Sequence, residues 1–468
     1  MHPTFSVAMF TRMDDCYPLG DTVFLPQVQI PRPGYRSKLT VLAREVETWI
    51  PDSSIIVGVV PFAGFGYLIT EDGFTDRVYN SFGLGRLENI GQLGRLYDHA
   101  EWNHKGVDWS LLRSTFTHNR WQHSLDARQF ANLIATNLRL DSKQILELEF
   151  GMLTHDCKTP AFGDGVKCLA PELFDEDRHY PEIFETPEAQ EFLAEYQIDR
   201  DRVIGLVQYE TGLLGQIRDF ADKLAYLCRD VNALTTRIIP ELPIGYPAGY
   251  RRIAQLAAAR EHPFGIWETV QSQNGQMYIA DPEWLRDVLL LRALMFQNVY
   301  MFGPSKLLEH LTSTVFVQTL FDEGKLKPEQ LLSFDDPRLE MFIQNEFGRE
   351  ASPLRLGPMF NFPQRIETFP DMPSAQRRQR ELAQSGIALT FLDSQPAPKP
   401  ATHLQVRCGR KIGRFDQLCP EFAAEISAIM QAIPTVKLYY ADVPYQKLPD
   451  YYQRVSRAVR RRVLALKN

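Results

Sequence analysis

The sequence predicts a mainly α fold with small β elements in the N-terminal region and a small C-terminal α+β module. Three observations predict it. Apolar residues recur at helical spacing over most of the stretch from Leu84 to Phe321. Pro, Gly and aromatic residues crowd roughly the first eighty positions, and prolines at 396, 398 and 400 set off the end of the chain. The 468 residues carry 51 Lys+Arg against 58 Asp+Glu, a formal charge of −7, with 44% hydrophobic and 23% charged residues. That composition excludes collagenous, low-complexity and wholly disordered chains and gives no global attraction to nucleic acid. At about 150 residues per domain the length suggests roughly three domains, or one large core with appendages.

In chain order, Ile55 to Val60 and Tyr67 to Thr70, followed by the turn signal Glu71-Asp72-Gly73, read as β structure within an N-terminal region spanning residues 1–83. A helical core follows over residues 84–395. Its clearest segment is Ile204 to Leu234, where Leu213, Ile217, Phe220, Leu224, Leu227, Val231 and Leu234 step by three and four along one apolar face. Asn274-Gly275 followed by Gln276 to Ala280 reads as a short hairpin, and Trp284 to Phe302 and Pro304 to Phe321 resume helical spacing. Pro396, Pro398 and Pro400 form a stiff linker opening residues 396–468, because proline fixes φ and removes a backbone donor. The chain ends in a basic tail, Arg454, Arg457, Arg460, Arg461, Arg462 and Lys467, which reads either as a solvated helix face or as a contact for nucleic-acid phosphates.

No run of about 18 apolar residues occurs, and Asp14 and Asp15 interrupt the first twenty positions, so the expectation is a cytoplasmic protein without a membrane partner. Six scattered cysteines without a C-x-x-C pair are expected to be plain thiols.

The residues that could carry chemistry are histidines beside carboxylates. His155-Asp156 ends the apolar run Ile145 to Leu153, so two adjacent metal-capable side chains emerge where a helix should stop against the core. Arg120 and His123 share a helical face, and Asp219, Asp222, Tyr226 and Asp230 form a polar stripe on the long helix. Two His and two Asp, His123, His155, Asp156 and Asp222, offer imidazole nitrogens and hard oxygens to a divalent metal and leave positions open for water and substrate. Such a metal lowers the pKa of its water toward about 7 and supplies hydroxide for attack on phosphorus. The alternative for each element is a satisfied core histidine or a solvent-facing helix surface.

Taken together, Phe116-Thr-His118-Asn-Arg120-Trp-Gln-His123, His155-Asp156 and Asp222-Lys223-Leu-Ala-Tyr226-Leu-Cys-Arg229-Asp230 resemble the HD-domain phosphohydrolases, most closely the deoxynucleoside triphosphate triphosphohydrolase branch. Gln92-Leu93-Gly94 and the pair Arg292 and Tyr300 extend the resemblance, which runs from about Leu84 to Phe342. It implies an HD helical core in which His123, His155, Asp156 and Asp222 hold manganese, iron, zinc or magnesium. Arg120, Lys223 and Arg292 would grip phosphates, Tyr226, Asp230 and Tyr300 would contact the substrate, and Gln92 and Leu93 would pack beneath the sugar. The implied partner is a nucleotide or related phosphate ester, hydrolysed by metal-bound hydroxide, and the family's habit implies a homo-oligomer.

The departures are specific. Where the triphosphohydrolases carry two histidines after the His-Asp pair, this chain has Thr159 and Asp164, and Lys167 stands where Glu is common. Asp164 could shuttle a proton if its surroundings raised its pKa. The second reading is therefore a nucleotide-binding regulatory protein whose degenerate site has little or no turnover.

Overall fold

The computed structural model describes residues 73–94, 116, 118–208, 212–235, 248–259, 263–349, 351, 364–395 and 397–465, together with strand backbone before residue 73 and between 103 and 108. The architecture is mainly helical, as the periodicity predicts. Ahead of the helices, Ile55–Phe62 pairs antiparallel with Phe65–Glu71, where β structure is expected. Cys16 and Lys467 lie outside the described residues.

Three helices build the part of the core that carries the site. Helix α1 (Arg120–Asn137) starts at a capping box: Asn119 accepts from the Gln122 backbone N–H at 2.8 Å while the Gln122 side chain accepts from the Asn119 N–H at 3.1 Å. Helix α2 (Ser142–Thr154) repeats the device with Asp141 and Gln144 and ends at His155. Helix α3 (Gly212–Ala233) packs against both. Of its sequence-read apolar face, Ile217, Phe220, Leu224, Leu227, Val231 and Leu234 are buried and Leu213 is half-buried. Each fully buried side chain of this kind contributes about 1.5–3 kcal/mol. The opposite stripe is not solvated either: Asp219 and Asp230 are buried, and Asp222 and Tyr226 are half-buried.

Val270–Gln273 (β1) and Gln276–Ile279 (β2) form the expected hairpin across Asn274-Gly275, both of which have positive φ. Helix α4 (Pro282–Met295), capped by Asp281, continues into a π-helical turn at Phe296–Tyr300. Such wide turns concentrate at functional sites.

The sequence places a module edge at 396, but strands on both sides of that position share one sheet. Gln364–Phe369 (β3) and Ile387–Ser394 (β4) both pair antiparallel with Val436–Pro444 (β7) in the order β3-β7-β4. Between them, Gln405–Cys408 (β5) pairs parallel with β2 and antiparallel with Lys411–Arg414 (β6). The proline segment therefore joins two sheets. At the other boundary, Val78 of the helix Gly73–Ser81 is buried in the main core, so this helix packs with the residues beyond 83. Helix α5 (Pro420–Gln431) packs on α4, and the final helix α6 (Asp450–Ala465) packs on β4. On α6, Arg454 is bonded to Glu323, Arg462 to Asp322 at 2.7 Å and Arg457 to the Tyr445 hydroxyl at 2.6 Å, while Arg460 and Arg461 are exposed. Among the described residues, no helix is long and apolar enough to cross a membrane, and the five described cysteines are free thiols.

Candidate metal centre and its cavity

Three side chains from different helices converge. His123 lies in the first turn of α1, His155 caps the end of α2, and Asp222 sits midway along α3. The Nε2 atoms of His123 and His155 are 3.3 Å apart, and Asp222 Oδ1 is 2.9 Å from the first and 3.6 Å from the second. The His155 Nδ1–H donates to the Met152 carbonyl at 2.7 Å, so its Nε2 lone pair faces the centre. Two imidazole nitrogens and a carboxylate oxygen within 4.8 Å of one another form a set that could hold a divalent metal ion. The donors fit such an ion: the His155 Nε2, unprotonated when its ring is neutral, faces the His123 Nε2 beside an anionic oxygen. The outer support is one-sided, because the buried His123 Nδ1 has no hydrogen-bond partner among the described residues.

Asp156, the fourth expected ligand, stands further off. Its oxygens are 3.9 Å from His123 Nε2 and 3.8 Å from His155 Nε2, and Oδ2 accepts from Arg120 Nη1 at 3.1 Å. Burial opposes the charge on Asp156, yet the Arg120 guanidinium holds it as a carboxylate. Thr159, in place of a family histidine, is buried and donates to Asp156 Oδ1 at 3.4 Å.

The centre lies in the wall of a cavity of about 670 Å³. Gln92, Leu93, Arg120, Asp164, Lys223, Tyr226, Arg292 and Tyr300, all singled out in the sequence, line it. Asp230 does not. It is fully buried behind the wall and accepts from the Tyr300 hydroxyl at 2.6 Å, with His118 Nε2 3.4 Å away. Its hydrogen bond holds Tyr300, which does line the cavity. Lys223 is bonded to Asp219, one turn earlier. Arg292 donates from Nε to the Tyr226 hydroxyl and from Nη1 to the Lys399 carbonyl, both at 2.7 Å, with its guanidinium over the Phe296 ring. The proline segment thus supplies one side of the cavity, through Gln395 and Pro398.

Gln92 and Asp164 reach the cavity because two turns interlock. Gly94 has φ +58°, and a Cβ there would meet the Phe162 carbonyl at 2.7 Å, so only glycine fits. Phe162 itself adopts φ +65°, a costly conformation for a bulky residue. Buried Asp336 holds both turns, accepting from the Phe162 N–H at 2.7 Å and the Gly91 N–H at 3.1 Å.

The environment of Asp164 is the reverse of what proton donation needs. Its side chain is more than half exposed to the cavity, and Lys167, 2.7 Å away, and Arg120, at 3.2 Å, hold its carboxyl below the ordinary carboxylate range. It is an ion at neutral pH and accepts hydrogen bonds instead of donating a proton. The cavity acids with raised pKa are Glu176, pushed up by burial against the pull of Lys167, and Asp177, raised by burial against Arg218. Both line the cavity, and sequence reasoning passed over both. The acidic run at Asp175-Glu176-Asp177 was the available signal, though such runs usually face solvent. Arg218, also in the cavity wall, lies four residues before Asp222 and so on its helix face.

No family model and no curated protein matches the chain. Solved structures do. A phosphohydrolase from Bacteroides thetaiotaomicron superposes with a TM-score of 0.53 at 18% identity, covering 82% of this chain and 100% of that one. A hypothetical protein from Aquifex aeolicus gives 0.54 at 16% identity, covering 84% and 97%. The chain shares their fold. At these identities the likeness concerns architecture alone, and any activity must be argued from the site.

Proposed function

We propose that the protein is a metal-dependent phosphohydrolase acting on a nucleotide or related phosphate ester. The observation that carries this reading is the meeting of His123, His155 and Asp222, from three separate helices, in the wall of a cavity that Arg120, Lys223 and Arg292 also line. The fold shared with a protein named as a phosphohydrolase supports it. A divalent ion bound there would polarise a phosphoryl oxygen and acidify a water molecule. The chain's own part is to place the substrate: cationic side chains offset charge on the phosphoryl group in transit, and Tyr226, Phe296 and Tyr300 offer an aromatic wall to the rest of the molecule. Glu176 is the cavity acid suited to hand a proton to the departing oxygen. The sequence resemblance extends the substrate class to dNTPs.

A screen of nucleotides and phosphate esters against manganese, magnesium, zinc and iron, with products resolved by mass, tests the reading. Hydrolysis that disappears in His155→Ala supports it. Hydrolysis that survives the substitution contradicts it. The locked carboxylate of Asp164, where the resembled family has a histidine, favours the second reading of a nucleotide-binding protein without turnover. Tight nucleotide binding with no product over hours would select that alternative.

A further inference from the structure

Six cationic side chains and six carboxylates line the cavity, and they are matched almost residue by residue. Lys223 is bonded to Asp219, and Arg218 faces Asp177 at 3.7 Å. Lys306 is bonded at 2.6 Å to Glu309. Arg120 forks between Asp156 and Asp164, and Lys167 lies 2.7 Å from Asp164 and 2.8 Å from Glu176. Arg292 alone among the six is described as donating to neutral oxygens, those of Tyr226 and Lys399.

With Glu176 protonated and Glu309, the partner of Lys306 behind the wall, counted in its place, six cations meet six carboxylates and the formal charges cancel. A divalent ion at the His123, His155 and Asp222 centre brings two positive charges, which match a phosphate monoester dianion. A triphosphate brings about two further negative charges, and uncompensated charge in a partly desolvated cleft is costly. Asp164 is central to this balance. Its carboxylate sits between Arg120 and Lys167, where the oxygens of an additional phosphate would otherwise accept hydrogen bonds, and the turn that carries it is pinned by Asp336.

Resting on the phosphohydrolase reading above, we propose that the site takes phosphate monoesters, nucleoside monophosphates among them, in preference to triphosphates, and that Asp164 is the residue that sets this preference. The reaction would add the oxygen of water to phosphorus and break the bond from phosphorus to the ester oxygen. That oxygen leaves with a proton, giving an alcohol and orthophosphate.

The test compares each deoxynucleoside monophosphate with the matching triphosphate, using the protein loaded with one equivalent of manganese or magnesium and no excess ion, so that the triphosphate carries no cation of its own, with products identified by mass. The wild type should show a kcat/KM for its best monophosphate at least about tenfold above that for the triphosphate. In Asp164→Asn the ratio should fall by at least about tenfold, through improved use of the triphosphate. A wild type that prefers the triphosphate overturns the proposal without the variant, and a ratio unmoved in a folded Asp164→Asn overturns the role of Asp164. Absence of turnover with every nucleotide and ion would instead defeat the hydrolase reading. Equilibrium dialysis of the same nucleotide pairs would then decide the charge argument: tighter monophosphate binding upholds it, and tighter triphosphate binding ends it.

Discussion

Arg229 and Asp126 form a buried two-pronged ion pair that ties α3 to α1, with Arg229 Nη2 2.7 Å from Asp126 Oδ1 and Nε bonded to the other oxygen. Asp126 lies one turn beyond His123, and Arg229 lies two turns beyond Asp222. The pair therefore fixes the separation of the two helices beside the metal centre. A buried pair adds little net stability over an apolar substitute, but removing one partner strands a charge.

Arg229→Met is expected to destabilise the protein by about 3–5 kcal/mol, read as a lower urea midpoint at unchanged slope. It should also weaken metal binding, because His123 and Asp222 would lose their common reference. A variant with native stability and native metal affinity would show that the pair is not what sets that spacing.

Asp336 accepts two backbone hydrogen bonds, from Gly91 and Phe162, and so holds a strained turn in place. Asp336→Ala should cost about 1.5–3 kcal/mol for each charge-assisted bond lost. Amide hydrogen exchange should rise at 91–94 and 162–166 together, since both turns depend on the same carboxylate. Faster exchange in only one of them would separate the turns.

Tyr300 links the cavity to buried Asp230. Tyr300→Phe removes the hydroxyl from an anionic acceptor and should lower stability by about 1.5–3 kcal/mol. Because the ring still faces the cavity, KM should rise more than kcat falls, a split that steady-state kinetics on any accepted substrate resolves.

The pH dependence should come from Glu176 and not from Asp164. Burial raises the Glu176 pKa above that of an ordinary glutamate, so its proton persists to higher pH, and a step that needs this proton slows as pH rises through the folded-state value. Its contribution to stability has the same sign: complete below the unfolded pKa and lost as pH climbs past the raised one. Asp164 is shifted the opposite way, so what its ion pairs contribute persists above the ordinary carboxylate range and is lost only as pH falls through the depressed value. Glu176→Gln should therefore flatten the descending limb of the kcat profile on its alkaline side. An identical limb in the variant would assign it to another group.

Much of this architecture is legible in the sequence because local periodicity reports burial. The apolar steps from Ile217 to Leu234 mark the buried face of α3, and His155-Asp156 ends α2 as its apolar run implies. What periodicity cannot report is the far side of a helix that is wrapped all round. Asp230 belongs to a polar stripe whose plain reading is a solvent-facing surface, yet it is buried and bonded to Tyr300, distant in sequence, as the neighbouring Arg229 is to Asp126. Asp156 looks equivalent to the other ligands in sequence, but Arg120 engages it. The prolines near 400 read as a boundary because the pairing of β4 with β7 spans more than forty residues and leaves no local trace. Glu176 and Asp177 carry no sequence signal beyond an acidic run, a pattern that usually faces water, and only the fold turns this one inward.

The most direct test is elemental analysis of purified protein after exposure to each divalent ion and removal of excess, with wild type, His123→Ala, His155→Ala and Asp222→Ala compared side by side. The account predicts a stoichiometric ion in the wild type and its loss in each folded variant. A wild type that retains none, or variants that retain it in full, would contradict the assignment of these three side chains as a metal centre.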